Sequence, residues 1–239
     1  MILGLVSAKG APGVTTAGLA LVAVSDGILV EFDPSGGSIE CWTAVPSEPG
    51  LVRAASSLRH AIDEPAVLTG VRDVPAGVRV VHAPTSSTSA ESMIGAIGDR
   101  LGLAMTDADP LVVLDAGRWA RTQPTASRIR ECDLVAIVCP PTVNGVEAAR
   151  ALVDPILAVT SKRAALLLIG NDGYGPTEIS TAVGVPVLGV LPWDTRAVNL
   201  LLTKGNVRGW SRTSIGRAAK AMTTMLTAAY SPPDREVAG

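Results

Sequence analysis

Short aliphatic runs recur along the chain, each separated from the next by room for a helix. They occupy residues 2–6, 27–32, 78–82, 111–114, 134–139, 164–169 and 185–191. Their length, β-branched content and Gly, Pro or Asp boundaries favour buried strands over helices. Helix-compatible stretches lie between and after them, at 15–24, 51–58, 90–103, 123–130, 143–159, 176–183 and 195–202. A last stretch, 215–230, puts Ile215, Ala219, Met222, Leu226 and Ala229 on one helical stripe. Strand–helix alternation over the whole length implies right-handed βαβ crossovers and a mostly parallel sheet. The expected architecture is α/β: three αβα layers around a doubly wound sheet of about seven or eight strands.

The region 35–75 is the least regular, and no element is assigned in it beyond 51–58. No internal repeat and no linker interrupt the pattern, so residues 1–230 are expected to form a single domain. The tail, 231–239, opens with Ser231-Pro232-Pro233, which cannot continue a helix, and is expected to be flexible.

Composition sharpens this picture. Of 239 residues, 47% are hydrophobic and 18% charged, which supports a large core and excludes wholesale disorder. With 24 Gly, one Phe and two Tyr, that core must be aliphatic, as suits a parallel sheet buried on both faces. The net charge of −2 argues against a broad nucleic-acid surface, which normally carries a basic excess. Cys41, Cys132 and Cys139 have no metal-ligand spacing and read as reduced thiols of a cytoplasmic protein. The first eight residues lack a basic flank, and Lys9-Gly10 interrupts them too early for a secretory signal. No apolar run approaches the roughly 18 residues that span a bilayer, so a soluble protein without direct membrane insertion is expected.

Ligands of open α/β sheets sit at the carboxyl ends of the strands. The loop leaving the first strand, Ser7-Ala8-Lys9-Gly10-Ala11-Pro12-Gly13-Val14-Thr15-Thr16, runs directly into a helix. Gly10 and Gly13 permit a tight wrap whose backbone N–H groups converge on an anion, and the helix adds its positive end. Thr15 or Thr16 offers a hydroxyl for Mg²⁺.

These residues resemble the deviant Walker A loop of the ParA/MinD ATPases, a SIMIBI-class P-loop family with the pattern K-G-G-x-G-K-T-T. The resemblance implies a P-loop NTPase-like fold, bound ATP or ADP with Mg²⁺, and a homodimer. It places Lys9 on the signature lysine that reaches a partner's nucleotide. Val14 falls on the ordinary loop lysine, Ala11 on a glycine, and Pro12 removes one amide donor. Ile28–Pro34 resembles the segment after the second strand, where Asp33 takes the position that orients the attacking water. Leu111–Gly117 resembles the Walker B strand, in which Asp115, with Thr15, holds Mg²⁺ through water. Asn171 and the segment Gly189–Asp194, with Pro192 and Asp194, resemble the parts that enclose adenine.

The loss of the lysine removes positive charge where phosphoryl transfer develops negative charge. Hydrolysis is therefore expected to be slow or absent, and binding to survive better than turnover. The resulting expectation is a degenerate ParA/MinD-like organiser or scaffold for partitioning or for polar or pilus-machinery localisation, with an unidentified partner. Its loop most resembles the atypical TadZ/CpaE-like branch.

Two other readings compete. A nucleotide-free interaction domain would also relax Pro12 and Val14. A dinucleotide-dependent oxidoreductase would use Gly10-x-x-Gly13 with Glu31 or Asp33 about 20 residues on. Glu31 otherwise reads as a structural hydrogen-bonding group. His60 and His82 stand alone, without metal-ligand spacing. Trp42, Trp119, Trp193 and Trp210 default to packing, and the Arg118, Arg121, Arg128 and Arg130 cluster to a solvated face.

Overall fold

The computed structural model describes residues 1–9, 13–59, 66–97, 111–119, 129–160, 163–204 and 207–230. Eight strands form one sheet: β1 (Ile2–Ser7), β2 (Ile28–Glu31), β3 (Val71–Val74), β4 (Val78–Val81), β5 (Val112–Arg118), β6 (Leu134–Cys139), β7 (Ala164–Ile169) and β8 (Val187–Leu191). Their order is β3-β4-β2-β5-β1-β6-β7-β8. Every neighbouring pair is parallel except β3 with β4 at one edge.

Burial on both faces follows from the period of two along each strand. In β6, Val135, Ile137 and Cys139 join one apolar cluster, while Leu134, Ala136 and Val138 join the other. β7 repeats this, with Ala164, Leu166 and Leu168 on one face and Ala165 and Leu167 on the opposite one. Each fully buried Leu or Val contributes about 1.5–3 kcal/mol relative to exposure, which is why the aliphatic runs were legible as strands.

Helix α1 (Val14–Val22) covers one face, together with α8 (Thr195–Lys204) and α10 (Ser214–Tyr230). Helices α3 (Gly50–Arg59), α5 (Ser87–Ile97), α6 (Val143–Val159) and α7 (Pro176–Val183) cover the other. Along α10, Ile215, Ala219, Met222 and Leu226 are buried as the stripe requires. Ala229, on the same stripe, is exposed.

The irregular region 35–75 holds α2 (Ile39–Thr43), α3, α4 (Ala66–Thr69) and the edge strand β3. Sequence reasoning missed β3 because an edge strand with exposed Arg72 and Asp73 lacks the continuous apolar run of a buried one. α9 (Val207–Trp210) is a single added turn. The helix expected over 123–130 lies largely outside the described residues, and its end, Ile129–Glu131, is a 3₁₀ turn. Residues 98–103 and the tail 231–239 also lie outside them.

The strand order sets the site. From β1 the chain steps over β5 to reach β2, and from β5 it steps over β1 to reach β6. Connections thus leave β1 and β5 in opposite directions, which opens a crevice at their carboxyl ends. The same order counts against the dinucleotide-dependent oxidoreductase. In the order 3-2-1-4-5-6 of that fold the second strand adjoins the first, whereas here β5 separates them.

Candidate functional site

The crevice begins at the head of α1. Gly13 adopts φ 124° and serves as N-cap, with no side-chain capping bond, and Ala17 N–H donates to the Gly13 carbonyl at 2.7 Å. The first-turn amides of α1 precede that bond and have no intrahelical acceptor. A Cβ at position 13 would also lie 3.3 Å from the Ile169 side chain, a tight contact that adds to the preference for glycine set by φ. Gly10, Ala11 and Pro12 lie outside the described residues. Lys9 is exposed and is not among the residues lining the pocket beside its own α1. Val14 is 5% exposed and belongs to the apolar cluster beneath α1.

Asp115 lies within β5 rather than at its end, opposite Leu5 of β1 and Glu31 of β2. The expected strand 111–114 stopped short because Asp, Ala and Gly break the aliphatic run. The structure continues it to Arg118 through a bulge. Leu5 pairs with Asp115, but Ser7 pairs with Arg118, leaving one extra residue in β5. Gly117 takes φ 61° there, and a Cβ on it would overlap the Asp33 carboxylate.

The carboxylates form a graded set. Asp115 is 3% exposed, and burial pushes its pKa up to about 7. A hydrogen bond from the Thr15 hydroxyl opposes that rise, the nearby charges of Glu31 and Asp33 add to it, and the Gly117 N–H at 3.1 Å opposes it again. Asp33 accepts the Ser35 N–H at 2.8 Å and sits against Gly117. Glu31 is structural: its carboxylate accepts the N–H groups of Ser38 (2.7 Å), Ile39 (3.0 Å) and Ala83 (3.2 Å). His82, fully buried, stands 3.5 Å from the same carboxylate.

Two pockets flank the head of α1 and share Gly13 and Thr16. One, of about 340 Å³, is lined by Val14, Thr15, Asp33, Ser35, Trp42 and Arg118 among others. The other, of about 190 Å³, is apolar and is walled by Ala17, Ile169, Leu191, Pro192, Trp193 and Val198, with Asp194 at its rim. The Asp194 carboxylate accepts Ala197 N–H at 2.9 Å and so caps α8. Asn171 is exposed and is not among the lining residues. Trp119 and Trp210 are buried, whereas Trp42 and Trp193 face the two pockets at 39% and 61% exposure. Ser7, Ser35, Trp42, Gly117, Arg118 and Trp193 were not selected from sequence as site residues, since only the bulge and the crevice bring them to Thr15 and Gly13.

The donor set suits a hard divalent ion. Among the described residues no group of three His, Cys, Asp or Glu side chains holds a metal by itself. Mg²⁺ does not need one, because it keeps several waters and takes one or two carboxylates plus phosphate oxygens. The Thr15 hydroxyl and the Asp115 carboxyl, with Asp33 nearby, meet that requirement. Burial first, and then the neighbouring Glu31 and Asp33 carboxylates, disfavour the charged form of Asp115, and a cation bound beside it would favour that form again.

No protein-family model matches the sequence, and no curated protein sequence matches it. Solved structures do match. The cell division ATPase MinD of Pyrococcus furiosus superposes with a TM-score of 0.72 at 17% identity, covering 95% of this chain and 98% of that one. A ParA family ATPase from Chlorobium tepidum TLS gives 0.71 at 17% identity over 94% and 98%. The septum site-determining protein MinD of Pyrococcus horikoshii OT3, complexed with Mg-ADP, gives 0.66 at 14% identity over 94% and 95%. The eight-stranded, mostly parallel sheet and its flanking helices are therefore those of the ParA/MinD P-loop ATPases, and this chain has their fold.

Proposed function

We propose that the chain binds a magnesium-associated adenine nucleotide, ATP or ADP, across the two pockets, and that occupancy controls pairing with a second copy. The observation carrying this reading is the convergence of Thr15, Asp33 and Asp115 on the head of α1. The phosphates would meet the amides from Gly13 to Thr16, along with the undescribed loop Gly10-Ala11-Pro12. Thr15 and Asp115 would hold Mg²⁺, the latter through water, and Asp33 would orient a water. Bound there, the ion would neutralise phosphate charge. Pro192, Asp194 and Trp193 bound the apolar pocket that suits a base, and Asn171 does not line it. The MinD structure with Mg-ADP has this fold, which supports the choice of ligand.

Val14 leaves the loop without its usual charge, so hydrolysis is slow or absent. Lys9, exposed and outside its own pocket, would serve a partner subunit's nucleotide instead. The biological role is that of a spatial organiser or assembly scaffold, for partitioning or for polar or pilus machinery as in the TadZ/CpaE-like branch. It is built on one domain, residues 1–230, acting in the cytoplasm with a partner protein. No helix among the described residues is long and apolar enough to cross a membrane.

Burial of Val14 in the core also favours a second reading, a nucleotide-free interaction domain. Thermal unfolding with and without Mg-ATP, together with light scattering for mass, separates the two. Ligand at 100 times Kd stabilises by about 2.7 kcal/mol, or about 5–10 °C for a chain of this size. No shift at millimolar Mg-ATP and Mg-ADP would establish the second reading.

A further inference from the structure

We propose that Arg118 replaces the missing loop lysine as the phosphate-binding cation supplied by the chain itself. This rests on the nucleotide-binding reading above and adds a residue that the loop motif does not contain. Simple alternation along β5 would put Arg118 on the face opposite Asp115, since the two are three residues apart. The bulge cancels that. Its extra residue brings Arg118 opposite Ser7, and Ser7 shares a face with Leu3 and Leu5, the face on which α1 packs. Gly117 makes the turn by adopting φ 61°, a conformation most side chains avoid, and it lacks a Cβ that would strike Asp33.

Two hydrogen bonds, one of them from a side chain, fix the result. Trp119 N–H donates to the Ser7 carbonyl at 2.9 Å, and the Ser7 hydroxyl donates to the Gly117 carbonyl at 3.4 Å. Bulges beside functional sites commonly re-aim a side chain in this way. Arg118 therefore lines the pocket that also holds Thr15, Thr16, Asp33 and Ser35, and among the described lining residues it is the one cation. It is exposed, and no ion pair with a described carboxylate engages it. A polyphosphate in a pocket lined by Asp33, and by Thr15 whose hydroxyl bonds the buried Asp115, requires a compensating positive charge, and a guanidinium binds phosphate with forked, charge-assisted hydrogen bonds.

The test is calorimetric titration of the full chain and of Arg118→Gln and Arg118→Lys with three probes: Mg-ATP, inorganic tripolyphosphate without magnesium, and adenosine. Arg118→Gln is expected to weaken Mg-ATP and tripolyphosphate by about 10- to 100-fold, the range of a charge-assisted hydrogen bond. Adenosine affinity and the ligand-free melting temperature should stay unchanged, and Arg118→Lys should recover part of the loss. Arg118→Gln binding Mg-ATP within threefold of the parent would overturn the proposal. So would equal losses for adenosine and tripolyphosphate, which would mark a structural role. A parent chain that binds none of the three probes would instead refute the nucleotide reading itself.

Discussion

Asp115 offers the sharpest test of the site's electrostatics, because its acidity and its burial point in opposite directions. Its carboxyl is held 3% exposed beneath α1, and its pKa is pushed from 3.8 to about 7, chiefly by desolvation. Between those values the folded chain keeps a proton that the unfolded chain has released. Folding stability therefore falls as pH rises through this window: no penalty exists below about pH 4, and the full penalty exists above about pH 7. A difference of about 3 pH units at 1.36 kcal/mol each amounts to about 4 kcal/mol, of which about 2.5 kcal/mol develops between pH 5 and pH 8. Asp115→Asn keeps an acceptor for the Gly117 N–H but cannot ionise. Urea unfolding of both proteins at pH 5, 6, 7 and 8, without nucleotide or magnesium, isolates the effect, since all other titrations cancel in the difference. The variant should gain about 2.5 kcal/mol on the parent across that range, or about 1 M in urea midpoint for m-values of about 2 kcal/mol/M. Parallel stability curves for the two proteins would refute the reasoning, because they would mean that Asp115 is already solvated or compensated in the free chain.

Two other perturbations probe neighbouring parts of the same structure. In Val14→Lys the methylenes can stay in the apolar cluster while the ammonium reaches the phosphate-side pocket. Mg-ATP should bind about tenfold or more tightly in calorimetry, with about 1–3 kcal/mol lost from the free protein through overpacking; unchanged or weaker affinity would show that the Gly13 amides do not cradle phosphate. Glu31→Ala leaves the Ser38, Ile39 and Ala83 N–H groups without their acceptor, which should cost about 3 kcal/mol or more in chemical unfolding, whereas Glu31→Gln should cost less. Equal stability of Glu31→Ala and the parent would show that water replaces the carboxylate freely.

Much of the fold was legible because the buried strands leave a plain trace. β6 and β7 coincide with the aliphatic runs at 134–139 and 164–169, since a strand covered on both faces has no polar position to obscure its ends. The edge strand β3 left no such trace, with Arg72 and Asp73 facing solvent. The chemistry of the first loop was legible for a different reason. Gly13, Thr15 and Thr16 are adjacent in sequence, so backbone cradle and hydroxyl come as one local unit. Asp33 and Asp115 could be chosen as strand-end acids, but their approach to Thr15 depends on β2, β5 and β1 being neighbours.

What the sequence determined alone was local: which segments bury both faces, where α1 begins, and that a valine stands where a phosphate loop carries lysine. The tertiary structure decided whatever depends on strand order and register. It set β5 between β1 and β2, which raised the pKa of Asp115 chiefly by burying its carboxyl, with Glu31 and Asp33 adding to the rise. It also inserted one residue at Gly117 and so turned Arg118 toward the α1 face. A strand's own pattern encodes which residues alternate. Only its pairing with a neighbour, where backbone hydrogen bonds must be satisfied, decides where that alternation slips.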